Sequence, residues 1–196
     1  IQQISQIMES FEPVLIREKP QAILVVGDVN STLACSMVAA HQNVKVIHVE
    51  AGLRSFDLGM PEEINRMLTD KISDLLFVTE ESGMKNLAME GIDSKKVHFV
   101  GNVMVDTLLK HKGFAEQISR ILDDLKLKSK KYALITLHRP SNVDEKSILH
   151  DILESMSVLA KEFPVVFPIH PRTERKINEY RLNNLIKDLI VIPPVA

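Results

Sequence analysis

Apolar and polar positions follow two rhythms along this chain, and the switches between them predict its elements. Ile1, Ile4, Ile7, Met8, Phe11, Val14 and Leu15 recur at helical spacing with polar residues between them. An amphipathic helix is expected there, with Pro13 as a kink or break. Ala22-Ile23-Leu24-Val25-Val26 is then a continuous apolar run, the mark of a strand buried on both faces. It ends in Gly27-Asp28, and Asn30 or Ser31 is placed to cap a helix over 32–41. The pattern repeats, with strands expected over 44–49, 75–78 and 97–100 and helices over 61–73 and 81–90. Continuous apolar strands alternating with helices predict a parallel, doubly wound α/β sheet.

From 103 to 127 the chain reads as helical and more charged, with Gly113 as a break. The basic stretch 126–131 is the best linker candidate, and reads equally as a solvated turn before a strand. The α/β rhythm then resumes, with strands over 133–136, 165–169 and 189–192 and helices over 144–162 and 173–187. Three strands and two helices are a small core for a free-standing domain. The first residue is Ile1, no strand precedes the opening helix, and an apolar run leads into Pro194-Val195-Ala196. We therefore expect a piece of a longer protein.

Composition narrows the class. With 45% hydrophobic and 26% charged residues, the chain is ordinary for a soluble globular protein. A net charge of −2, without a basic run interleaved with aromatics, argues against a nucleic-acid partner. Cys35 is the one thiol, so no internal disulfide forms, which fits a reducing cytosol. No apolar run approaches the roughly 18 residues of a membrane span.

The candidate chemistry sits where apolar runs stop. In open parallel sheets, ligands bind outside the carboxyl ends of the strands. Those ends carry Asp28, His48 with Glu50, Thr79 with Glu80, Gly101 with Asn102, His138 with Arg139, and His170. Between 61 and 73, Ile64, Met67, Leu68 and Ile72 read as a core-facing stripe, which leaves Glu62, Asn65, Arg66 and Thr69 to face a cleft. Plainer roles stand beside these. Asp28 can cap a helix, Glu50 can pair with Arg54, and Glu62 can pair with Arg66 four residues on. Acids at 62 and 63 suit the helix dipole. His138-Arg139 and His170-Pro171-Arg172 can be capping turns, the second more readily than the first. No G-x-G-x-x-G, Walker A lysine motif, zinc-ligand spacing or G-x-S-x-G elbow is present. What remains is carboxylate and histidine acid–base work with arginine anchoring an anion.

These residues resemble the non-hydrolysing UDP-N-acetylglucosamine 2-epimerase family. The matching runs are Gly27-Asp28-Val29-Asn30-Ser31-Thr32, His48 through Arg54, Pro61 through Arg66, Gly101-Asn102 with Asp106, Thr136 through Pro140, and His170-Pro171. The resemblance implies an α/β protein of two Rossmann-like domains facing across a cleft (GT-B architecture), each incomplete in this chain. Residues 1–111 match the first domain without its first strands, and 112–196 a linker and the first part of the second. It implies interconversion of UDP-N-acetylglucosamine and UDP-N-acetylmannosamine, through UDP elimination to 2-acetamidoglucal and re-addition. The implied catalytic residues are Asp28, Glu50, Glu62 and His138, and the implied substrate-binding residues are Arg54, Arg66, Asn102, Arg139 and His170. It implies no metal or other cofactor, a UDP-sugar substrate, no nucleic-acid or membrane partner, a homodimer, and a cytoplasmic enzyme serving cell-surface polysaccharide synthesis.

The alternatives are a hydrolysing relative that releases UDP and free N-acetylmannosamine, an epimerase of a UDP-diacetamido sugar, and a non-catalytic sugar-nucleotide-binding domain. The family's G-T-R-P-E turn and D-S-G-G segment are absent, so this stretch alone is expected to show no turnover. His138 is followed by Arg-Pro-Ser-Asn where many members carry Arg-Arg-Glu.

Overall fold

The computed structural model describes residues 1–195. Ala196, the last residue of the expected second domain, lies outside the described residues. The chain divides into two compact units, Ile1–Gly113 and the residues from Phe114 onward.

The first unit opens with α1 (Gln2–Glu18), which runs through Pro13 without a break. The helix ends at Lys19, where a left-handed residue turns its N–H back to the Leu15 carbonyl. Then come β1 (Ala22–Val26), α2 (Asn30–His41), β2 (Lys45–Val49), α3 (Pro61–Ile72), β3 (Leu75–Val78), α4 (Glu81–Met89), β4 (Val97–Phe99) and α5 (Val103–Ile118). Helix α5 passes through Gly113, so the expected break there does not occur.

The four strands are parallel and lie in chain order, β1-β2-β3-β4. Right-handed crossovers that all step one way put the intervening helices on one face of the sheet. The described sheet is therefore wound on one side rather than doubly. Burial follows this asymmetry. Val25 packs with Leu15, Val38, Ala39 and Val46, while Leu24 and Val26 on the other face of β1 are 59% and 50% exposed. Among the described residues, β1 therefore has one covered face.

The second unit continues with α6 (Ile121–Asp124), β5 (Ala133–Leu134), α7 (Pro140–Val143), α8 (Lys146–Leu159), β6 (Val165–Pro168), α9 (Pro171–Tyr180) and β7 (Ile190–Ile192). Its three strands are parallel in the order β5-β6-β7. Leu149, Leu153, Val165, Phe167 and Ile177 are almost wholly buried in a single core. The helix expected over 144–162 forms as α8, and Pro140 starts a separate short turn before it. The helix expected over 173–187 stops at Tyr180, where Arg181 takes a left-handed conformation.

Candidate active site

In the first unit, the register of the sheet gathers the carboxylates. Val26 lies opposite Val49, and the ladder continues past the strand ends, with Gly27 N–H donating to Val49 C=O at 3.0 Å. Asp28 and Glu50 therefore leave neighbouring strands side by side. Glu50 has φ of 68°, a left-handed conformation uncommon for a residue with a side chain. This turn carries its carboxylate back over the end of β1, where Oε2 stands 3.4 Å from the place a Cβ on Gly27 would occupy. Gly27, itself at φ 71°, leaves that approach open.

Helix α3 completes the cluster. Arg66 Nη2 donates to Asp28 Oδ2 at 2.7 Å. Asn65 Nδ2 donates to the Asp28 carbonyl at 2.9 Å and to Asn30 Oδ1 at 3.0 Å. Asp28 is thus held by α3 and does not cap α2, whose first turn has no side-chain cap from Asn30 or Ser31 either. Arg66 is spent on Asp28, so the expected pairing with Glu62 is not formed. Its Nε is buried without a partner among the described residues, which leaves one donor unspent beside the carboxylates. Glu62 is exposed in the first turn of α3.

The orientation of α3 is the reverse of the expected one. Ile64, Met67, Leu68 and Ile72 are 36–48% exposed, whereas Glu63, Asn65, Thr69 and Asp70 are buried. The polar face turns inward because each of its side chains finds at least one partner. Glu63 accepts hydrogen bonds from Ser55 N–H at 2.8 Å, Ser55 Oγ at 3.0 Å and Phe56 N–H at 3.1 Å. Burial alone would raise the Glu63 carboxyl, but these bonds and the charge of Arg54 outweigh it and hold it below the ordinary carboxylate range. Thr69 and Ser73 hydroxyls donate to carbonyls one turn back.

Arg54 does not pair with Glu50 and presents no free face to a ligand. Its side chain is 2% exposed and is shared between Asp70, at 2.7 Å, and Glu90, which it grips with two bonds of 2.7 Å. Burial would lower the guanidinium, yet Glu90 and Asp70 hold it above its ordinary value. Within the unit it acts as a brace between these two carboxylates. Asn102 Oδ1 accepts from Met104 N–H at the start of α5.

In the second unit, the ends of β5 and β6 bring two histidines together. The His138 and His170 rings lie 5.7 Å apart, both exposed. His170 Nδ1 accepts from Arg172 N–H at 3.1 Å, so it caps α9, as its plainer reading expects. Arg139 is exposed at the start of α7. Arg172 makes a two-pronged contact with Asp144, which holds the Asp144 carboxyl below its usual range. The result is an open edge of two imidazoles and an arginine beside two helix starts, a donor set that suits an anion.

A family model described as UDP-N-acetylglucosamine 2-epimerase matches residues 1–196. The chain belongs to the UDP-N-acetylglucosamine 2-epimerase family. It is 40% identical over 201 residues to a UDP-N-acetylglucosamine 2-epimerase of Methanococcus maripaludis, covering 99% of this chain and 55% of the relative. It is also 40% identical over 199 residues to the UDP-2,3-diacetamido-2,3-dideoxy-D-glucuronate 2-epimerase of Pseudomonas aeruginosa, covering 100% of this chain and 54% of that one. The crystal structure of Methanocaldococcus jannaschii UDP-GlcNAc 2-epimerase in complex with UDP-GlcNAc and UDP matches with a TM-score of 0.88 and 40% identity, over 99% of this chain and 55% of that chain. The chain spans about half the length of the curated relatives it matches.

The residues of this network least legible in the sequence are Asp70, Glu63 and Glu90. A signal for the first two was present. Glu63, Arg66 and Asp70 repeat at helical spacing, and Thr69 and Ser73 flank them, which outlines a polar face dense enough to satisfy itself. Glu90 carries no such mark, because its partner Arg54 is 36 residues away in sequence.

Proposed function

We propose that the complete protein interconverts UDP-N-acetylglucosamine and UDP-N-acetylmannosamine. The observation that carries this reading is the convergence of Asp28, Glu50 and Arg66 at the ends of β1 and β2, with Glu62 at the start of α3 beside Arg66. The sugar C2–H has no carbonyl beside it in the ring and is barely acidic. Breaking the C1–O bond first gives C1 oxocarbenium character, which acidifies C2–H. UDP leaves with the bonding pair, a carboxylate takes the C2 proton, and C1=C2 of 2-acetamidoglucal remains. Return of a proton to the opposite face of C2, with attack of the UDP oxygen on C1, gives the epimer. Asp28, held in place by Arg66, is suited to sit beside the developing cation. Glu50 and Glu62 are suited to move the proton, since inversion needs acid–base groups on both faces. His138, Arg139 and His170 are assigned to the diphosphate.

The test uses the complete protein with UDP-N-acetylglucosamine in deuterated water. Proton NMR is expected to show UDP-N-acetylmannosamine with deuterium at C2, and Glu50→Gln and Glu62→Gln to lower C2 exchange by about 10²-fold or more. Normal exchange in both variants would refute the carboxylate roles, and free N-acetylmannosamine as product would point to the hydrolysing reaction. A second substrate has a specific observation behind it, the 40% identity to the diacetamido-glucuronate epimerase. The same assay with that UDP-sugar decides between them.

The reading extends to a cytoplasmic homodimer. The lone thiol Cys35 supports the compartment, and the outward apolar stripe of α3 supports self-association. Among the described residues, no helix is long and apolar enough to cross a membrane.

A further inference from the structure

His48 is fully buried, and each of its ring nitrogens faces an acceptor. Nδ1 lies 2.7 Å from Asp70 Oδ1 and Nε2 lies 2.8 Å from the Gly27 carbonyl oxygen. A carbonyl oxygen can only accept, so Nε2 must carry a proton. Asp70 is equally committed, because its Oδ2 receives Arg54 Nη2 at 2.7 Å and the Gly52 N–H at 3.1 Å. A carboxylate that takes an arginine and a backbone donor is the ionised form, so Nδ1 must carry a proton too.

The charged groups around His48 are Asp70 of α3, Arg54 of the loop after β2, and Asp28 and Glu50 beyond the ends of β1 and β2. Asp28 pairs with Arg66, and Arg54 also grips Glu90 at the end of α4, whose side chain stays 31% exposed. Asp70 is the fully buried carboxylate among them, and it touches the imidazole directly.

We infer that His48 is a doubly protonated imidazolium that ties the Gly27–Asp28 turn to α3 and so positions the carboxylates of the site. It is a positioning residue. It does not touch the sugar; it clamps the backbone carbonyl next to Asp28 and, two residues before Glu50, fixes the point where β2 turns left-handed. Asp70 is its counter-charge, and Arg54 holds Asp70 by its other oxygen. This role rests on the proposed epimerase reading, while the protonation state does not.

The experiment is nitrogen-15 NMR of histidine-labelled full chain at about pH 7.5, above the ordinary imidazole midpoint near 6.5. His48 is identified as the slowly exchanging ring, being the one wholly buried histidine among the described residues. Both of its nitrogens are expected at the protonated position, each with a directly bonded hydrogen. One bare ring nitrogen would overturn the inference outright, and that reading needs no variant. In Asp70→Asn, the ring is expected to lose the Nδ1 proton and keep Nε2–H, accepting from the new amide. Retention of both protons there would remove Asp70 as the counter-charge. In the complete protein, Asp70→Asn is expected to lower kcat about tenfold or more with KM nearly unchanged. A lowered kcat without the change in ring protonation would assign Asp70 an ordinary structural part and refute the positioning role. Absence of epimerase activity in the wild type would strike the functional reading and leave the NMR result standing.

Discussion

Replacing Gly52 with alanine should unfold the first unit more readily than any other single added methyl at its glycines. Gly52 sits at φ 79°, and a Cβ there would lie 2.5 Å from the Gly83 carbonyl oxygen and 2.9 Å from both the Gly83 carbonyl carbon and Leu87 Cγ. Two costs add. The left-handed conformation costs a residue with a side chain about 1–2 kcal/mol, and forcing an atom into packed backbone costs about 1–3 kcal/mol more. The total is about 2–5 kcal/mol, a large share of the roughly 5–15 kcal/mol that holds a domain together. Gly91 isolates the first of these costs. It has φ 70° but nothing within 4 Å of an added Cβ, so Gly91→Ala should cost only the conformational part. The assay is the urea dependence of labelling at Cys35, the chain's single thiol, half-buried in α2 of the same unit. The labelling midpoint of Gly52→Ala should fall well below that of Gly91→Ala, with the slope unchanged. Equal midpoints would mean that α4 does not pack against the Gly52 backbone as described, and the steric reasoning would fail.

The other predictions use the same readout or simpler ones. Arg54→Ala should destabilise the first unit by about 3–5 kcal/mol, since it takes the guanidinium from the fully buried Asp70 and also frees the half-buried Glu90. Glu63 has a depressed folded-state pKa, so its contribution is fully present above the unfolded carboxylate value near 4.3 and is lost as pH falls through the folded value. Glu63→Gln should therefore lower stability at neutral pH and flatten the acid limb of a pH titration of Cys35 labelling. Leu68→Glu on the outer face of α3 should shift the complete protein from dimer to monomer in sedimentation, with a stability change within about 0.5 kcal/mol if the monomer folds alone; an unchanged dimer would exclude that face as the contact.

Much of this was readable from the chain itself. The apolar runs at 22–26, 75–78 and 165–168 form strands, each with at least one face in a core. Asp28 and Glu50 were visible as ionisable groups at strand ends. The inverted α3 was not. Periodicity shows that a helix has two faces but not which one is inside, and the choice here rests on partners distant in sequence. Asp70 is buried because His48, Arg54 and Gly52 converge on it, and Glu63 because Ser55 and Phe56 present their donors. Apolarity was also a poor guide at Leu24 and Val26, whose side of the sheet has no helix among the described residues. Gly113 and Pro13 lie inside continuous helices, where one poor residue is outvoted by its neighbours.

Helix α3 carries Arg66 and Asn65 on the side that grips Asp28, and Ile64, Leu68 and Ile72 on the side that meets solvent. A helix of 12 residues is a stiff rod about 18 Å long. Its two faces cannot move separately. A displacement of the outer stripe therefore also shifts the arginine and the asparagine within. The helix is thus a mechanical link between what the protein touches and how its carboxylates are aimed.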